Sequence, residues 1–420
     1  MFRIFRKYIF SILVYFIVIL TLISCSYDRE NENSPQFFLE PIAGDYSAHE
    51  GQISINSTAI LQDPDNFVWG GSVIEGDDGL FYMFYSIFDS GPDKPNFSDA
   101  WLLSSRIACA VSRYPDKGFE FMKVILEGRR HIGQADAWDS QGVHNPHIQK
   151  FNDKYYLYYI GSRDPGPQPQ DSPGASLRKR DRIQQVQKIG VIEFTRLEDL
   201  ITGNFERPEI PLLSPRTRVK SVNVIDPSPP GIQAKPDNLI VVNPSVVYRP
   251  FDQKYLLYFK GNLYDPGWRG VHGVAIGDSP LGPFQALDDF VFDVRIEDGR
   301  IASAEDPYVW YHNPSRLFYA VIKDFSGRIT GAAPGLAILK STDGIDWMVL
   351  EYPVFSLKQL VFKNGSILPV SNLERPQLLI DDAGNPTAFY AACSVEAVGG
   401  KTDGSTFNVQ MKVRIEALKR

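Results

Sequence analysis

The chain has 420 residues, 13% of them aromatic, and a formal net charge of −7. A body of that size buries a large core, and its acidic balance leaves no basic face for nucleic acid. Three cysteines are too few and too scattered for a disulfide framework or a cysteine metal site.

The first residues, MFRIFRKY, carry Arg3, Arg6 and Lys7 and no acid, and an apolar run then leads to Leu22, Ile23, Ser24 and Cys25. A basic start, an apolar run and a small-residue site predict an export signal, and Leu-Ile-Ser-Cys is the pattern that bacterial lipoprotein processing recognises. The run is short for a membrane span. We therefore expect a signal peptide over 1–25, a lipid on Cys25, and a flexible tether over 26–50, where SYDRENENSPQ holds little to bury. The folded domain is expected over 51–420. The partner of the anchor is then the outer membrane of a Gram-negative bacterium, at its periplasmic face or at the cell surface.

From there the sequence repeats one phrase. A short strand opens at an X-Pro step, turns through Gly or Asp, and returns as a strand dense in Tyr and Phe. The openings are Trp69-Gly70-Gly71, His144-Asn145-Pro146, Val242-Asn243-Pro244, Glu305-Asp306-Pro307 and Glu374-Arg375-Pro376, with Gly71 in place of the first proline. The returning strands read LFYMFYS, KYYLYYIG, KYLLYFKG, RLFYAVIKD and PTAFYAA. Compact turns such as SPLGPF and STDGIDW then lead to third and fourth strands. Five such units, with no long amphipathic helix between them, predict an all-β, five-bladed β-propeller of four-stranded antiparallel blades. A β-sandwich would not restart each set of strands with the same opening. Cys109 and Cys393 fall inside predicted strands as core thiols.

In a propeller the first strands line the central channel, so the residues before each opening proline converge at its mouth. The loops joining second and third strands lie on that face, and here they are long: 86–105, 162–188, 262–271 and 324–334. The expected ring is Trp69-Gly70, His144-Asn145, Val242-Asn243, Glu305-Asp306 and Glu374-Arg375. Lys260 and Lys323, at the ends of second strands, join it. Asp139 and Asp237 each stand six residues ahead of a ring asparagine and are placed near the rim. Carboxyl groups crowded beside Arg375 and Trp69 acquire separated pKa values, as acid and base catalysis of glycosidic cleavage requires. The same residues can also close the ring as salt bridges, Asp306 with Arg375 and Glu374 with Lys323, and each Asn before Pro can cap its strand. Trp69 is a sugar-stacking platform or a core indole. No metal-ligand spacing, phosphate loop or nucleophile elbow is present, so no cofactor or metal is expected. Nothing in the sequence sets an oligomeric state.

Taken together, the X-Pro openings, SPLGPF, STDGIDW and the aromatic second strands resemble the five-bladed propeller glycosidases of glycoside hydrolase families 43, 32 and 117, over residues about 60 to 420. The resemblance implies a carbohydrate substrate, an exo-acting site in the central channel on a plant or algal glycan, and a carboxylate base and a Glu acid from different blades. In family 43 the base is the Asp of an Ala-Asp-Pro opening in the first blade, where this chain has Trp69-Gly70-Gly71. The acid is a Glu two residues before Pro, a pattern that Glu305 and Glu374 both satisfy. The expectation is Glu305 as acid and Asp306 or Asp139 as base, with Trp69, His144, Asn145, Asn243, Glu374, Arg375, Lys260 and Lys323 binding sugar. A glycan-binding lipoprotein without catalysis is the first alternative. A phosphorylase or lyase-like enzyme is the second, holding an anion with Lys260, Lys323, Arg375 and the basic stretch from Arg178 to Arg182.

Overall fold

The computed structural model describes residues 35–50, 52–395 and 406–416. The predicted signal peptide, Cys25 and the tether up to residue 34 lie outside the described residues. The chain divides into Leu39–Val413 and a second unit of Met1–Phe38 with Arg414–Arg420. In the second unit, residues 36–38 and 414–416 are extended strand.

Leu39–Val413 is a five-bladed antiparallel propeller. Blade one holds strands Asn66–Glu75, Phe81–Asp89, Arg106–Ser112 and Glu120–Leu126. In blade two, Gly142–Phe151, Lys154–Ser162 and Lys188–Phe194 form the ladder, and a single bridge from Ile189 to Leu213 takes the fourth place. Blades three and four open with Val242–Arg249 and Ala304–His312, and each adds three strands. Blade five has Asn372–Ile380, Pro386–Ser394 and Thr406–Glu416, and its outer edge is completed by Ile60–Gln62 from the start of the domain. The strand that precedes blade one in the chain thus belongs to the sheet of blade five.

The aromatic second strands are buried on both faces, because each blade is sandwiched between two others. In blade two, Tyr155, Leu157 and Tyr159 pack with Tyr82 and Phe84 of blade one, whereas Tyr156 and Tyr158 pack with Leu257 and Phe259 of blade three. Several tyrosines keep their hydroxyl satisfied by donating to a turn of the following blade. Tyr158 donates to the Pro280 carbonyl at 2.9 Å and Tyr390 to Pro115 at 2.6 Å, and Tyr258 bonds Gly344 in the same way. SPLGPF and STDGIDW therefore supply acceptors as well as turns. Cys109 and Cys393 are free and buried, and burial pushes the Cys109 thiol up to about 12.

Order begins earlier than the sequence leads one to expect. Asp45–His49 pairs with Gln52–Asn56 as a hairpin, and Ile42, 4% exposed, bridges Phe362. The polar stretch before residue 35 hides the apolar residues that follow it, and these give the segment something to bury.

Leu61, on the closing strand, is buried in the cluster that joins blades five and one. Leu61→Ala is expected to lower unfolding free energy by about 2–5 kcal/mol, read from the urea midpoint. A shift within error would mean that the closing strand contributes little to holding the propeller shut.

Candidate active site

Every blade enters the channel through the same irregularity. In blades two to five, the residue before the proline and the proline itself stand opposite one residue of the second strand, so the register shifts at that step. Proline has no N–H to lose from the interrupted ladder. The preceding residue takes left-handed backbone, with φ 50° at Asn145, 58° at Asn243, 58° at Asp306 and 55° at Arg375. Asn and Asp tolerate that region, while for Arg375 it is strained. A bulge of this kind re-aims a side chain, here toward the next blade.

The re-aimed side chains form a chain of hydrogen bonds around the channel. Asn145 Nδ2 donates to Asn243 Oδ1 at 2.9 Å, and Asn243 Nδ2 donates to Asp306 Oδ1 at 2.6 Å. Asp306 Oδ2 accepts from the Arg375 backbone N–H at 3.0 Å, and the Arg375 guanidinium lies 3.4 Å from Oδ1. Blade one completes the circle with backbone and a serine. A Cβ on Gly70 would lie 2.9 Å from Arg375 Cβ and Cγ, so the arginine stem fills that place. Ser86 Oγ accepts from the Asn145 N–H at 2.8 Å.

A second tier lies one residue earlier, where Trp69, His144, Val242, Glu305 and Glu374 face Ser86, Ile160, Lys260, Lys323 and Ala392 across the ladder. Each lysine reaches forward to the glutamate of the following blade. Lys260 Nζ is 3.1 Å from Glu305 Oε1, and Lys323 pairs with Glu374 while also standing 3.7 Å from Glu305 Oε2. Trp268 covers Lys260 at 5.3 Å, Phe325 covers Lys323 at 4.1 Å, and the two rings meet edge to face.

These groups floor a cavity of about 310 Å³, walled by Phe88, Phe97, Trp101, Trp268 and Phe325. On the side of blades one and two the wall is helical, from Phe97–Leu103 and Lys179–Gln184. Arg180 ties the two helices, with Nε 3.4 Å from Asp99 and its guanidinium over Trp101. Trp69, His144, Asn145, Asn243, Lys260, Glu305, Asp306, Lys323, Glu374 and Arg375 all line the cavity. Trp101, Gln184, Gln187, Asn262 and Trp268 also line it, and the sequence marks none of them individually. Their signal was the length of the loops that carry them. Among the described residues no three His, Cys, Asp or Glu stand close enough to hold a metal ion.

Asp139 stands apart. It is fully buried, with Arg129 Nε donating to Oδ1 at 2.6 Å and Arg207 and Tyr159 donating to Oδ2. Two guanidiniums and a phenol use up its acceptors away from the cavity, so the expected role as base is withdrawn. Asp237 is likewise clamped by Arg216. The expected platform role of Trp69 also gives way: the indole is 8% exposed and packs on Phe97 at 4.8 Å, while Trp268 is the exposed one at 47%. His144 uses both ring nitrogens, toward Ser105 Oγ and Gln187 Nε2. Burial, helped by Arg375, pushes it down to about 3, so it is a neutral wall residue.

The two carboxyls of blade four are driven apart. Burial opposes ionisation of Glu305, but Lys260 and Lys323 outweigh it and hold the group down to about 2. Burial and the charge of Glu305 push Asp306 up to about 6 against the pull of Arg375. The expectation of a protonated Glu305 therefore meets two ammoniums that keep it ionised.

No family model matches the chain, and no curated protein sequence matches it. Its fold is that of five-bladed propeller glycoside hydrolases, as the openings led us to expect. A family 117 glycoside hydrolase of the marine bacterium Zobellia galactanivorans is 17% identical, with 91% of each chain covered and a TM-score of 0.51. A solved structure described as a glycoside hydrolase is 10% identical, covering 91% of this protein and 93% of its own length, with a TM-score of 0.51. An α-L-arabinofuranosidase of Lactobacillus brevis is 11% identical over 83% of this protein and 92% of its own length, at 0.50. At these identities the likeness is one of fold.

Asp306 has a consequence for stability. Its folded value of about 6 lies above the ordinary 3.8, so the folded chain keeps a proton that the unfolded chain has lost. The stabilisation is complete below about pH 4 and disappears as pH rises through 6. Glu305 acts in the opposite sense, but only below its ordinary 4.5. Between pH 4 and 6 the urea midpoint of the wild type is expected to fall relative to that of Asp306→Asn. Parallel profiles would show that Asp306 is ionised throughout.

Proposed function

We propose that the chain is a glycoside hydrolase that removes a terminal sugar from a plant or algal glycan. The observation that carries this reading is the pair Glu305 and Glu374, which meet at Lys323 on the floor of an aromatic-walled cavity in the propeller channel. Glycosidic cleavage needs two carboxyl groups in different states, flanking the bond. Glu305, between two ammoniums, is the ionised partner and acts as base or nucleophile. Glu374, on the neighbouring blade and also facing the cavity, is the proton donor once substrate has loosened its bond to Lys323. Glu305 thus moves from the acid first expected of it to base or nucleophile, and Glu374 from sugar binding to acid. Asp306, sealed in the ring, positions Arg375 and Asn243 and does not reach the sugar. The helical wall tied by Arg180 favours a terminal over an internal sugar unit.

The phosphorylase or lyase-like alternative needs spare positive charge, and little is on offer here. Lys260, Lys323 and Arg375 face Glu305, Glu374 and Asp306. Arg178 and Arg180 pair with Asp181, and Arg182 with Asp164.

The test is release of monosaccharide from a panel of plant and algal oligosaccharides and nitrophenyl glycosides. On the responding substrate, Glu305→Gln and Glu374→Gln are each expected to cut turnover by about 10²–10⁴. Binding of glycans without turnover by the wild type would make the protein a glycan-binding one. Turnover untouched in either variant would remove that glutamate from the mechanism.

The same proposal includes an exported protein held at the outer membrane by a lipid on Cys25. Cys25→Ser is expected to move the protein from the membrane to the soluble fraction of expressing cells. A variant still retained in membranes would overturn the anchor.

A further inference from the structure

A second group of cations differs from the first in having too few acids. Arg163, immediately after the second strand of blade two, and Lys188, which opens its third, lie on the mouth side of that blade. Together with Arg218 they line a separate cavity of about 160 Å³, and Asp226 is the one acidic residue in its lining. Three positive groups against one negative contrast with the balanced floor of the central cavity.

The cavity is built rather than incidental. Arg218 is fixed through Nε to the Ile225 carbonyl at 2.6 Å and through Nη1 to the Gln185 carbonyl at 3.0 Å, while its buried Nη2 has no partner among the described residues. Burial, and then the charges of Arg163 and Arg218, push the Lys188 ammonium below its ordinary value. Like charges gathered at a partly dry site are costly, and an anion in the cavity relieves the repulsion. The volume suits about five waters, enough for one small oxyanion with part of its hydration.

Its position relates it to the central site. The central cavity shares Gln184, Ile240 and Asn262 with a middle cavity of about 240 Å³, and the middle cavity shares Gln185 with the cationic one. We propose that Arg163, Lys188 and Arg218 bind an anionic substituent, a sulfate ester or a carboxylate, on a glycan whose terminal sugar occupies the central cavity. This rests on the glycosidase reading and narrows its substrate class to acidic glycans.

Titration calorimetry on the purified chain, with sodium sulfate and with sodium glucuronate at constant ionic strength set by chloride, tests it. One saturable site is expected, weakened about tenfold or more by Lys188→Gln and by Arg163→Gln and restored by Lys188→Arg. Tighter sulfate points to a sulfated glycan, and tighter glucuronate to a uronic one. No saturable binding of either anion, or Gln variants that bind as the wild type does, overturns the proposal. Because the titration reads the anion alone, its failure leaves the glycosidase reading standing, and a loss of turnover through Glu374→Gln leaves the anion site standing.

Discussion

The architecture of the channel depends on one constraint, a β-bulge at each opening that turns the residue before proline toward the next blade. Left-handed backbone at four non-glycine positions is unfavourable in isolation. It persists because each turned side chain is caught: Asn145 by Asn243, Asn243 by Asp306, and the Arg375 backbone by Asp306. Asp306 is central to this, since it accepts from the blade before it and the blade after it. A carboxyl in that place must be buried, and burial beside Glu305 raises its pKa. The ring thus settles where each blade begins and also the electrostatics above it.

Above the ring, the forward reach of each second-strand lysine converts blade order into chemistry. Lys260 meets the glutamate of blade four and Lys323 the glutamate of blade five. The central cluster holds as much negative as positive charge, which suits a neutral sugar ring in transit to a cationic transition state. The Lys188 cavity, unbalanced and further along the mouth, suits a charged substituent instead. Division of labour between a neutral reacting centre and a cationic recognition site avoids a net positive charge beside a bond whose cleavage develops positive charge.

The fold was legible because a propeller repeats its grammar. X-Pro, turn and aromatic strand recur in sequence for the same reason that the bulge, the hairpin and the two-sided burial recur in space. The ring members were legible by position alone, since a residue before an opening proline has one destination in this architecture. Asp139 was misplaced because its partners, Arg129, Tyr159 and Arg207, come from segments with no shared pattern. The charge state of Glu305 was harder to read, because position in the ring brought Lys260 near it without showing that the ammonium meets its carboxylate. Arg163, Lys188 and Arg218 escaped notice for a similar reason, as a surface cation shows nothing in sequence of the acids it lacks.

The first blade gives the ring its individual character. A carboxylate at position 70, where the resemblance to family 43 would put a base, cannot coexist with Arg375 in its present place, because even a Cβ there would stand 2.9 Å from the arginine stem. The glycine of blade one and the arginine of blade five are therefore sterically linked. With Arg375 across the first-blade position and Asp306 holding it there, the more exposed of the three carboxyl groups lining the cavity are Glu305 and Glu374, with side chains 22% and 19% exposed against 3% for Asp306. On the proposed reading, the reacting centre is displaced toward blades four and five, with the sugar nearer to Trp268 and Phe325 than to Trp69.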